Sequence, residues 1–395
     1  ANCRSGSGAY DGPSTINFGQ KPFKFSPPDG FQPLNTANTR PVKVIPRPDQ
    51  YVGVTTWSGT SATHSITGLN FNAKPDLVWL KERSSTSDHG LWNSVIGQSE
   101  YNSSNATQGH YDTTTEFTSF DYNGFTLGNN SMTNDSGQTY VAWCWKAGGS
   151  KGTFNVDDVG YASAAAAGLT AGDTTPTGAS VGTKQGFSII KYTGPNDTNN
   201  HEVPHGLSQA PDFIIAKNLD ATYNWDIYHS SLADDKYLIF TGSAARNQGF
   251  NGRPTSTVFK TEHDYSTNEN QEYIAYCWHD VPGLQKFGTY SGNSNADGPF
   301  IELGFRPALF VMKQTDSTGY WMVYDSARDP INNGSPYYLF WNASSAHGTG
   351  YDLDFLSNGV KLRTDNANFN TTSYVYMAWA EAPTVNLFGG GANAR

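Results

Sequence analysis

Two short motifs in this 395-residue sequence have the residue types and spacing of catalytic machinery. The first is "HEVPH" (201–205), which matches H-E-x-x-H. Zinc proteases place those two histidines one turn apart on a helix, with the glutamate as base. Pro204 inside the motif and Gly206 after it argue against a helix through His201 and His205. The second is "GASVG" (178–182), a match to G-x-S-x-G, whose serine needs a strand before it and a helix after it. It lies in a Gly/Ala/Thr tract with neither. Asp157 and Asp158 could hold calcium, but a single Asp pair in such a tract reads as a solvated turn. Trp92, Trp225 and Trp321 could stack on sugar rings; as an aligned set at a strand-like position, they read better as core. Only nine of the 35 acidic residues are Glu, and no pair is marked as a glycosidase acid and base. No catalytic, cofactor-binding or metal-ligating residue is therefore expected, and no cofactor.

The elements that would position any site are repeated. "KPDLVWLKERS" (74–84), "APDFIIAKN" (210–218) and "RPALFVMKQ" (306–314) correspond, aligning Pro75, Pro211 and Pro307, and Lys81, Lys217 and Lys313. "TYVAWCWKAGG" (139–149), "EYIAYCWHDVPG" (272–283) and "VYMAWAEAP" (375–383) close the copies, aligning Trp143, Tyr276 and Trp379. The proline and the late aromatic stand 68, 65 and 72 residues apart. Short apolar runs rich in β-branched and aromatic residues predict buried strands. Asn123-Gly124 and Asn358-Gly359, each between alternating runs, predict hairpins. Alternation puts Tyr140, Ala142 and Cys144 on one face of the late strand, and Val141, Trp143 and Trp145 on the other. The fold expected is all-β, with three tandem β-sandwich-like repeats at 51–149, 186–283 and 284–385. A Gly/Ala/Thr-rich linker at 150–185 is expected to join the first two, and 386–395 to be a flexible tail.

Composition narrows the class. Hydrophobic content is 36% and charged content 15%, while 54 aromatic residues exclude a disordered chain. A net charge of −10 argues against a nucleic-acid binder. No run of about 18 apolar residues exists to span a membrane. Three widely spaced cysteines (Cys3, Cys144, Cys277) form no disulfide framework. The start at Ala1, without Met or an apolar leader, reads as a processed product or a fragment.

The repeat string "KPDLVWLKERS…SFDYNGFTLGNN…TYVAWCWKAGGS", with the connecting "TFNVDDVGYASAAAAGLT", resembles a domain of structural proteins of tailed phages, especially marine and cyanobacterial ones. It often occurs there in long tail-fibre or appendage proteins. The resemblance covers about residues 50–395. Residues 1–50, with "GAYDGPSTINFGQKPFKFSPPDGF", resemble the last strands of a SPRY-type β-sandwich. The third copy departs from the pattern at Ala308, where the others have Asp, and at Ala380-Glu381, where they have Cys-Trp. The resemblance implies a non-enzymatic virion protein, a fibre or appendage that contributes to host-surface attachment. The partners it implies are other virion proteins, host surface glycans and further copies of the chain, a trimer being favoured. The alternatives are a head decoration or head fibre, a capsular polysaccharide depolymerase, and a secreted carbohydrate-binding protein.

Overall fold

The computed structural model describes residues 44–385 and 391–392, apart from 114, 196, 198, 235, 241–249, 263–269, 331 and 333. The chain divides into two units, 1–44 and 45–395, and the second carries everything below. The expected SPRY-like segment thus lies almost wholly outside the described residues. So does most of the expected tail, of which Gly391–Ala392 pairs with Thr384–Val385.

The fold is all-β. Three large sheets repeat one strand order: opening strand, late strand, proline strand, return strand. These are Val52–Ser58, Thr139–Trp145, Leu77–Glu82 and Gly90–Asn93 in the first copy. In the second they are Phe187–Thr193, Glu272–Trp278, Phe213–Asn218 and Asp226–His229, and in the third Gln285–Ser291, Ser373–Ala380, Pro307–Gln314 and Met322–Asp325. All these neighbours pair antiparallel.

The proline strands are apolar up to a closing lysine and one further polar residue because both of their faces are buried. Leu77 and Trp79, Phe213 and Ile215, Leu309 and Val311 all enter one core shared by the three copies. The alternate residues, among them Val78, Ile214 and Phe310, enter three separate outer cores, one per copy. A small sheet backs each outer core; in the first copy it is His64–Thr67, Gly124–Leu127 and Ser119–Asp121. Both Asn-Gly hairpins form, with Asp121 opposite Gly124 and Leu356 opposite Gly359. The late strand divides its faces as its alternation requires.

Register corrects the residue alignment. Leu77, Phe213 and Leu309 stand opposite Trp145, Trp278 and Trp379. Trp379 is thus the counterpart of Trp145, and Met377 that of Trp143 and Tyr276. A slip of two residues keeps every side chain on its own face, so alternation alone could not reveal it. The apparent Ala380-Glu381 departure disappears, since Ala378-Trp379 occupies the Cys-Trp place. Trp225 and Trp321 are equivalent, but their partner in the first copy is His89. Trp92 lies three residues on and faces the outer core instead. All three tryptophans are buried.

The expected linker at 150–185 is also corrected. Phe154–Val156, Val159–Tyr161 and Pro176–Gly182 are strands that extend the second copy's sheet to eight. Pro176–Gly182 is largely buried although it lacks large apolar residues. Its small side chains admit a neighbouring backbone: a Cβ on Gly148 would lie 2.4 Å from the amide nitrogen of Val181. Composition suggested a spacer where the packing requires small residues.

Candidate functional site

The three copies separate what the fold needs from what one copy adds. Trp145, Trp278 and Trp379 pack edge to face around the shared core, with ring centroids 5.4–6.1 Å apart. Each such pair adds about 0.5–1.5 kcal/mol beyond its burial. The ring nitrogens of His89, Trp225 and Trp321 donate to Phe340 O (2.8 Å), Ser103 O (3.0 Å) and Ile239 O (3.1 Å). Each bond runs from one copy to another, so the set closes on itself. Nδ1 of His89 accepts from Trp79 Nε1 at 3.0 Å, which requires a neutral ring. Burial, helped by the charge on Lys81, pushes its pKa down to about 3.

Lys81, Lys217 and Lys313 are buried equivalents whose pKa values burial lowers to about 8, 7 and 8. Each ammonium donates to the carbonyl of the next residue, and those of Lys217 and Lys313 also reach loop carbonyls at Tyr223 and Ser317. A lysine kept in all three copies for main-chain ties is part of the framework.

The sequence motifs fall apart as sites. His201 is on a strand and lies between Asp173 (3.2 Å) and Asp197 (2.8 Å). His205 turns to Thr255 O and accepts from Leu207 N; burial lowers its pKa to about 4. Glu202 pairs with Lys260 instead. Ser180 sits mid-strand and fully buried, bonded to Asp76 and to Gly149 O, with no elbow around it. Asp157 and Asp158 form a hairpin turn, both at positive φ. Their carboxylates take Thr183 and Lys146 as partners.

Where the hairpin of the first copy meets the strands that extend the second copy's sheet lies a surface groove of about 470 Å³ lined by Asn72, Lys74, Tyr122, Ser150, Lys151 and Asp158. The hairpin turn holds Tyr122 out, 66% exposed, beside Asn72. That turn is fixed by Asn123, whose amide donates to Ala73 O and whose side chain accepts from Asn72 N. Register places Ser357 at the position of Tyr122 in the third copy, so the hairpin does not need an aromatic there. Flat aromatic surface beside amide and ammonium donors suits a polyhydroxylated ligand. Asn123-Gly124 marked this hairpin in the sequence, but the approach of 72–74 and 149–151 to it required the fold.

A second group in the first copy, the one of its kind among the described residues, joins Glu100, His110 and Asp112, one donor atom of each lying within 4.8 Å of the others. Nothing in the spacing of these residues marks them as ligands.

A family described as "Domain of unknown function (DUF7483)" matches residues 47–383. The chain belongs to this family. The match runs across all three large sheets, so a DUF7483 domain is the whole closed set and not one repeat. No curated protein and no solved structure matches the chain.

Proposed function

We propose that this DUF7483 protein is a non-enzymatic structural protein of a tailed-phage virion, in a fibre or appendage. It contributes to attachment by holding host surface glycans in the groove beside Tyr122. The virion reading rests on the sequence resemblance. The observation that carries the attachment reading is Tyr122 itself, an exposed aromatic with amide, ammonium and carboxylate neighbours on a rigid hairpin. One such site binds weakly, and several copies on one particle raise overall binding by about 10²–10⁴ through effective concentration. Association of the chain with further copies, as a trimer in the first instance, belongs to this proposal.

The test incubates purified protein with host cells and with their extracted surface polysaccharide. Saturable binding that Tyr122→Ala abolishes, with polymer length unchanged, is the expected result. Binding untouched by that substitution would remove the groove from the reading. Steady release of oligosaccharides, stopped by a single Asp or Glu substitution, would replace it with a depolymerase. Antibody labelling of intact particles tests the virion location.

A further inference from the structure

Strand Gly97–Asn102 pairs with Tyr111–Asp112, which sets Glu100 opposite Asp112 and Tyr101 opposite Tyr111. The tyrosines face the outer core, where Tyr101 stacks on Trp92 and on Tyr111. The two-residue period turns Glu100, Asn102 and Asp112, with His110, the other way, toward the second copy. Like charges directly across a ladder oppose its pairing. Among the described residues no lysine or arginine forms an ion pair with either carboxylate.

His110 is oriented for ligation. Its Nδ1 lies 2.6 Å from Leu219 O, and a carbonyl can only accept, so Nδ1 carries a proton. In the neutral ring Nε2 is left with its lone pair, which is the tautomer a metal takes, held by the outer-shell carbonyl such sites use. Asn102 supplies an independent sign. It is fully buried, its amide nitrogen donates to Gly109 O, and its Oδ1 has no partner. Register places Leu238 and Leu339 at its position in the other copies. The fold therefore accepts leucine there, and the first copy places an unpaired buried oxygen on the face that carries the trio. Beside His110 and Asp112 opens a pocket of about 300 Å³ between Gln108–Asp112 and Leu219–Thr222, with room for water.

We infer that Glu100, His110 and Asp112 bind a divalent transition-metal ion of the zinc class, fixing Gly97–Asn102 to Tyr111–Asp112 while the Leu219 carbonyl of the second copy holds His110 in place. One imidazole among oxygen donors favours such an ion over calcium or magnesium, which take oxygen ligands almost alone. Water from the pocket would complete the shell.

The test uses tag-free, metal-stripped protein titrated with ZnCl₂ by calorimetry, with MnCl₂, CaCl₂ and MgCl₂ in parallel. One zinc per chain is expected, with a rise in melting temperature. His110→Ala and Asp112→Asn should each weaken binding by at least about tenfold. Asp112 is exposed, so its variant tests the site without threatening the fold. No zinc binding, zinc binding indifferent to both substitutions, or calcium bound more tightly than zinc would each overturn the inference.

Discussion

Asp325 accepts a hydrogen bond from the indole of Trp143 at 2.9 Å, joining the return strand of the third copy to the late strand of the first. The same carboxylate oxygen holds Arg328 at 2.6 Å, and both charged side chains are wholly buried. At the equivalent place in the other copies, Asn93 donates to Tyr276 OH (2.9 Å) and His229 meets Tyr376 O (3.2 Å). Three different residue types thus make one tie each, in cyclic order. Removing one partner leaves the other buried and unpaired. Asp325→Ala, which strands Arg328, is expected to cost about 3–5 kcal/mol. Trp143→Phe, which removes one neutral donor, should cost about 1–3 kcal/mol. Urea denaturation of both variants checks the ranking; equal costs would show that the ion pair is not the stronger element.

A shared core predicts shared unfolding. Each large sheet buries one face only against the other two, so a single copy leaves Phe213, Ile215 and Trp278, or their equivalents, in water. The fragment 186–283 expressed alone is expected to bind a hydrophobic dye and to lack a cooperative melt. The intact chain should unfold in one transition by fluorescence and by far-UV dichroism. Two or three separated transitions would mean that the copies are independent domains.

Acid should loosen the protein between about pH 6.5 and 4. His89, His205 and His229 are fully buried, and burial lowers their pKa values to about 3, 4 and 4. The unfolded chain, with ordinary histidines, binds protons in that window that the folded chain refuses. Stability therefore falls as pH drops, by about 1.4 kcal/mol per pH unit for each. Asp280, raised to about 6 by burial, and Asp76, raised for the same reason, work the other way. A net slope of roughly 1–3 kcal/mol per pH unit remains. His229→Asn, which imitates Asn93 in the first copy, should flatten the acid limb of a plot of denaturation midpoint against pH. An unchanged limb would show that His229 is not among the groups responsible.

Much of this architecture was legible in the residues. The Pro–Lys spacing found the three proline strands, and Asn-Gly found both hairpins. Strand alternation divided Tyr140 from Trp143 because burial on both faces leaves only parity to read. The same parity hid the two-residue slip that pairs Trp379 with Trp145. What the sequence could not show is that the three copies close on one core, since nothing local in "TYVAWCW" says which tryptophan meets another copy. The groove and the Glu100–His110–Asp112 group were hidden for the same reason. Their residues come together through register and through loops that approach from elsewhere in the chain.

The segment that reads as a spacer gives the last prediction. Gly148 stands so near the strand Pro176–Gly182 that an added Cβ would lie 2.4 Å and 2.5 Å from Val181 N and O, and 2.6 Å from Asn155 O. All three atoms are backbone, so no side-chain rotation relieves the clash and the strand itself must move. Gly148 N also donates to Ser180 Oγ at 2.9 Å, and Ser180 in turn bonds Asp76, so the shift would spread into the first copy's proline strand. Gly148→Ala is expected to cost about 1–3 kcal/mol, the usual range for overpacking. Gly152 is the control: the nearest atom to its added Cβ is 3.5 Å away, an ordinary contact. Gly152→Ala should stay within about 0.5 kcal/mol of the parent. Thermal melts and limited proteolysis across 150–185 measure both. If residues 150–185 were a free linker, the two substitutions would be equally silent and the segment would be cut first in the parent protein.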